Sequence, residues 1–193
     1  MHKHMKPASA WLALMLSLGC VLGGCQLPKA RSTGAGSAAP SIRNDCCSLL
    51  HQLLQDEKHI GLLRFIKREQ ADVKELVKRI GAASGAGAKL IEELARKDPS
   101  LQLKKDLLPP GEILTRDAIA ATMQKELLAQ TGATFELTLL ITQLQALSYG
   151  RHLAKVAAEN EPQPDRALAL ASISQDMENL YQEVFALLLA KIR

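Results

Sequence analysis

Residues able to do chemistry are few and widely spaced along this chain. The densest group is Asp56-Glu57-Lys58-His59, in which Asp56 and His59 stand three apart and share one face of any helix that carries them. A carboxylate and an imidazole placed in this way can hold a divalent metal or exchange a proton. Glu136 and His152 are the partners such a centre would draw from later helices, with His51, Tyr149 and Glu178 as further donors. A di-iron centre between helices takes a Glu from each of two helices and a Glu-x-x-His from each of two others. No Glu-x-x-His occurs anywhere in the chain. Asp56, Glu57, His59, Glu136 and His152 therefore support only the second of two readings, a metal-binding or oxidoreductase bundle of unusual design.

Nucleophilic catalysis has no frame either, because no G-x-S-x-G surrounds any serine. His152, beside Tyr149 and Arg151, reads as a polar-face histidine rather than a general base. The adjacent Cys46 and Cys47 form neither C-x-x-C nor C-x-x-C-H. A disulfide between neighbours is strained, so the pair reads as passive thiols at a helix start, with a redox role or a bridge to a second chain as alternatives. The expectation is a non-enzyme that carries no cofactor.

The remaining reactive residue is Cys25. His2, Lys3, His4 and Lys6 give a positive start, and Trp11 to Leu22 is an apolar run too short for a comfortable membrane span. Residues 1–24 therefore read as a cleaved signal. Its end, Leu22-Gly23-Gly24-Cys25, resembles the lipobox of bacterial lipoproteins. That resemblance implies a diacylglycerol on the Cys25 thiol and an acyl chain such as palmitate on its freed amine. More than one acyl chain is needed for stable anchoring, at about 0.8 kcal/mol per buried methylene. Cys20 is a second candidate, with Ser17 where the apolar residue should stand. Gln26, in place of the Asp that retains Gram-negative lipoproteins at the inner membrane, implies an outer-membrane anchor facing the periplasm.

The chain has 24 basic and 20 acidic residues, and removal of Lys3 and Lys6 with the signal leaves 22 against 20, a net charge of +2. That near-neutrality gives no case for nucleic acid. Lys67-Arg68, Lys78-Arg79 and Lys104-Lys105 are basic pairs balanced by nearby acids and read as solvated helix faces. Trp11 leaves with the signal, so the core must be aliphatic.

Residues 25–44 are rich in Ala, Gly, Ser and Pro and read as a flexible leash spanning roughly 25 Å as a random coil. From residue 45 to 193 apolar residues recur at three- and four-residue spacing, which predicts an all-α domain. A first helix is expected over about 46–69, with Leu49, Leu53, Ile60, Leu63 and Ile66 on its stripe. Asp72 and Glu75 form a capping-box pattern after a break near Gln70, with one helix running through Arg79 as the alternative. Gly81 to Gly87 fits no phosphate-loop pattern and reads as a small-residue helix face or a weakened turn. Asp98-Pro99 ends that helix and Leu108-Pro109-Pro110-Gly111 breaks the chain. A shorter helix is then expected over about 115–130, carrying Ile119, Met123 and Leu127. Phe135, Leu139, Leu140, Leu144, Leu147, Leu153 and Val156 mark a third long helix, and Leu168, Ile173, Met177, Leu180, Val184, Leu187 and Leu188 a fourth. Four amphipathic helices joined by short breaks predict an antiparallel four-helix bundle, with the short helix in the connection between the second and third.

Val73-Lys74-Glu75-Leu76 with Ile80, then Leu90 to Ala95, Leu108-Pro109, Phe135-Glu136, Leu139-Leu140 and Gln143 are similar to a family of secreted bacterial proteins. That family is a domain of unknown function with a ferritin-like four-helix bundle, and the match would cover about Leu49 to Ile192. Its members tend to carry inward histidines at positions that correspond here to the neighbourhood of Ser84, Leu147 and Tyr181, where this chain has departed from the pattern. The overall expectation is a lipid-anchored envelope protein whose bundle is a non-catalytic binding or structural module for another envelope protein. A bundle holding a lipid or other apolar ligand between its helices is a third reading.

Overall fold

A computed structural model describes residues 35–59, 70–105 and 107–192. Over these the chain is all-α, with α1 Ala35–Glu57, α2 Ala71–Lys97, α3 Pro110–Ala129, α4 Gly132–Glu159 and α5 Pro164–Ile192, and no strand among the described residues. The signal, the lipobox with Cys25, the first part of the leash and the residues Ile60, Leu63 and Ile66 lie outside the described residues. No described helix is long and apolar enough to cross a membrane.

The long helices share one sequence device. α1 turns Arg43, Cys47, Leu50 and Leu54 inward, all buried, with the largely covered Glu57 next on the same stripe. α2 buries Val73, Val77, Ile80, Ser84, Gly87, Ile91, Leu94 and, at its cap, Asp98. α4 buries Glu136, Leu140, Gln143, Leu147, Gly150, Ala154 and Ala157, and Glu161 continues the stripe just past its end. On α5 the stripe runs Arg166, Leu170, Ile173, Met177, Leu180, Val184, Leu187 and Lys191. Steps of four and three residues alternate along all four, a period of about 3.5, which keeps one seam facing the neighbouring helices. Each fully buried leucine on such a seam contributes roughly 1.5–3 kcal/mol.

α4 and α5 pack most extensively on each other, α1 lies against α4 and α2, and α2 also meets α5. Contacts between α1 and α2 step in opposite directions along the chain. Arg43 meets Asp98, His51 meets Glu92, and a methyl group built on Gly85 would touch Lys58. Small residues let the middle of the seam close. A Cβ on Gly150 would lie 2.2 Å from Met177 Cε, and one on Gly87 would lie 3.1 Å from a Leu54 methyl. Gly81 to Gly87 is thus a helix face that α1 and α5 approach, not a turn.

Several expectations need correction. α1 begins at Ala35, not near residue 46, and ends at Glu57. The stretch read as leash up to residue 44 is helical from Ala35, and Arg43 belongs to the core. Leu50 and Leu54 are buried where Leu49 and Leu53 were expected, because the seam is fixed by Arg43 and Cys47, one step round the helix. Asp72 does not cap α2; the helix starts from Gln70, whose N–H donates to Glu136 Oε1 of α4 at 2.6 Å. α3 starts at Pro110, since proline at the first helical position loses no intrahelical hydrogen bond. Ile119 and Leu168 are exposed rather than buried.

Candidate functional site

The five residues that could have formed a metal centre are not brought together. Asp56 is exposed on the last turn of α1, where partial burial nonetheless raises its carboxyl and the His59 charge opposes the rise. His59 is exposed on the following turn. Glu57 points inward against Gln143, and burial pushes its carboxyl up despite a hydrogen bond from the Gln143 side chain. Glu57 Oε2 and Gln143 Oε1 are both buried with no hydrogen-bond partner among the described residues. Glu136 sits in the second turn of α4, engaged with Lys191 and with the start of α2. His152 lies sixteen residues further along the same helix, about 24 Å away at 1.5 Å per residue. Its Nδ1–H donates to the Ser148 carbonyl at 2.7 Å. Among the described residues no group of three or more His, Cys, Asp or Glu is placed to hold a metal ion.

Cys46 and Cys47 are both free thiols on α1. Burial pushes Cys47 up to about 12, and burial with the Asp45 charge raises Cys46. Neither is an activated thiolate near neutral pH. Successive helical positions also point about 100° apart, which holds the two sulfurs away from each other.

What the sequence did not suggest is a polar layer at each end of the seam. At one end Arg43, only 1% exposed, donates to Asp98 Oδ2 at 3.2 Å and Glu161 Oε2 at 3.0 Å. Arg166 of α5 completes the layer, 3.0 Å from Asp98 and 2.8 Å from Glu161. Ser100 hydrogen-bonds Asp98 and holds its carboxyl below the usual range against the opposing effect of burial. Burial also works against ionisation of Glu161, but hydrogen bonds from Arg166, the Gln163 N–H and Arg43 keep its carboxyl low. At the other end Lys191 of α5 reaches Glu136 Oε2 at 2.9 Å, Gln70 Oε1 at 3.0 Å and Asp72 at 3.5 Å. Two cations and two anions balance at the first end, so no net charge is buried there. The only signal in the sequence was charge at seam positions, which ordinary apolar counting discards.

The surface features that could recognise another molecule gather around α3. Of its twenty residues only Leu127 is buried, against Val73, Val77, Phe135 and Leu139. One side of α3 closes a cleft over α1, lined by Ile113, Asp117 and Ala120 and facing Leu49, Leu53 and Asp56. The opposite side carries Leu114, Thr115, Ala118, Ile119, Thr122 and Met123 as an open, mostly apolar helix face. Leu114 is 70% exposed. Arg116 spans to α4, its guanidinium 5.4 Å above the Tyr149 ring. On the α4–α5 face Arg151 stacks 4.2 Å over Tyr181, whose ring lies parallel to Phe185, and pairs with Glu178. The gap between α2 and α5 beside Ser84 and Gly87 is about 120 Å³, well under the roughly 300–1,000 Å³ of small-molecule sites, which weighs against a lipid held in the core.

No family model, no curated protein and no solved structure matches this chain.

Proposed function

We propose that the protein is a lipid-anchored component of the bacterial cell envelope whose helical domain is a non-catalytic module for binding another envelope protein. In this reading Cys25 carries the lipid, the anchor lies in the outer membrane facing the periplasm, and α1, α2, α4 and α5 form an antiparallel, ferritin-like four-helix bundle. The opposite running of α1 and α2 and the common seam support that arrangement. The sequence Leu22-Gly23-Gly24-Cys25 supports the anchor.

The observation that carries the binding half is α3. A twenty-residue helix that buries one side chain and leaves Leu114, Ala118, Ile119 and Thr122 uncovered is poorly explained by the stability of this chain alone. Exposed apolar patches of this kind mark surfaces that another protein covers. The test is site-specific photocrosslinking in intact cells, with a photoreactive residue at Ile119 and a control at Glu93, which is exposed on α2. A discrete adduct with one envelope protein from position 119 and none from position 93 is the expected result. No adduct from 119, or the same adducts from both, would overturn the reading.

A further inference from the structure

The cleft on the inner side of α3 is separate from the apolar outer face and has a different chemistry. It encloses about 340 Å³ between α1, the connection that precedes α3, α3 itself and Tyr149 of α4. Its floor is aliphatic, formed by Leu49, Leu53, Leu108 and Ile113. Two carboxylates line it from different helices, Asp56 from α1, which feels the His59 charge three residues on, and Asp117 from α3, and neither makes a side-chain hydrogen bond or close ion pair with another described residue. Of the two cations at its edge, Arg116 is already neutralised by Glu112 Oε1 at 2.7 Å. The Lys105 ammonium has no ion pair among the described residues, while its carbonyl accepts from Gln52 Nε2 at 2.9 Å and so pins the connection to α1.

These features narrow the ligand. A phosphate or other anion would meet two carboxylates, and a purely apolar molecule would strip water from charges without pairing them. A bare cation would leave Lys105 and the aliphatic floor unused. The volume lies at the small end of ligand sites, below the size of a nucleotide or a lipid. A molecule with an ammonium, a carboxylate and an aliphatic body meets both carboxylates, Lys105 and the aliphatic floor.

We propose that this cleft binds a small zwitterion, an aliphatic α-amino acid or dipeptide, with its ammonium taken by Asp56 and Asp117, its carboxylate by Lys105 and its side chains by the leucine floor. The site needs neither the lipid at Cys25 nor the protein partner proposed for the outer face of α3, so it stands or falls separately.

The probe is L-leucyl-L-leucine, titrated into the purified full-length protein in detergent and followed by saturation-transfer NMR and calorimetry. Saturable binding is expected, weakened about tenfold or more by N-acetylation of the dipeptide and by Asp117→Asn, as loss of one charge-assisted contact requires. Asp117 is exposed, so the variant should melt like the parent, which separates loss of the ligand from loss of the fold. No saturable binding up to about 10 mM, equal binding of the acetylated dipeptide, or binding unchanged by Asp117→Asn would each overturn the proposal.

Discussion

Lys191 Nζ lies 2.9 Å from Glu136 Oε2, while the other oxygen of that carboxylate accepts the Gln70 N–H at 2.6 Å. One side chain of α4 thereby ties the last turn of α5 to the first turn of α2. Gln70 lends α2 no side-chain cap of its own; its N–H is accepted by a carboxylate of another helix, while Asp72 within α2 accepts the Val73 N–H at 2.7 Å. Glu136 was legible in the sequence as an acid with possible metal chemistry; its place in the fold makes it a joint between three helices.

Replacing Glu136 with Ala should therefore destabilise the domain by about 3 kcal/mol, because it leaves Lys191 largely buried without its main counterion and the α2 start without its acceptor. Glu136→Gln keeps an acceptor for the Gln70 N–H and should recover part of that loss. Urea denaturation followed by circular dichroism measures both. Equal loss in the two variants would show that the acceptor contributes nothing.

Arg43 should matter as much at the opposite end. Arg43→Met removes the cation that bridges Asp98 and Glu161 and should cost roughly 3 kcal/mol. Arg43→Lys should not restore stability, since one ammonium cannot reproduce contacts to Asn44, Ser100, Asp98 and Glu161 together. The folded-state carboxyls of Asp98 and Glu161 are lowered, so their contribution is present above the unfolded carboxylate range and disappears as pH falls through their folded values. The parent should lose stability on acidification over that window, and Arg43→Met should lose less. Unfolding curves of equal acid sensitivity for both proteins would contradict this.

Glu57 titrates in the opposite sense. Its folded carboxyl is raised by burial, so the native state binds the proton more tightly than the unfolded chain, and stability falls as pH rises from the unfolded carboxylate value through the folded one. Glu57→Gln, which keeps the shape without the charge, should raise stability at neutral pH by about 1 kcal/mol and flatten that part of the profile. Thermal melts between acid and neutral pH provide the measurement. A variant less stable than the parent at neutral pH would mean that ionised Glu57 is favoured in the fold.

The helical class and the places of α2, α4 and α5 were legible because leucines, isoleucines and valines repeat along them at helical spacing. The first helix was misread for a physical reason. Its seam opens with Arg43 and Cys47 and reaches Glu57, so the apolar spacing alone points to Leu49 and Leu53, one step round the helix. The Ala- and Gly-rich run before Asn44 has little to bury by itself, and its last part, from Arg43 to Asn44, is held by contacts to Asp98, Ser100 and Glu161 that no local rule reveals. α3 was placed correctly in the chain, but its two opposed faces, one over α1 and one uncovered, become visible only in three dimensions. The separation of Asp56 and His59 from Glu136 and His152 is likewise a matter of topology, since nothing in their spacing forbade a shared site.

The most direct test of the central claim is fractionation of cells expressing the parent and the Cys25→Ser variant, combined with metabolic labelling by an alkyne fatty acid. The expected result is a labelled parent in the outer-membrane fraction and an unlabelled variant absent from it. Labelling of both proteins, or identical membrane partitioning of the two, would contradict a lipid anchor at Cys25.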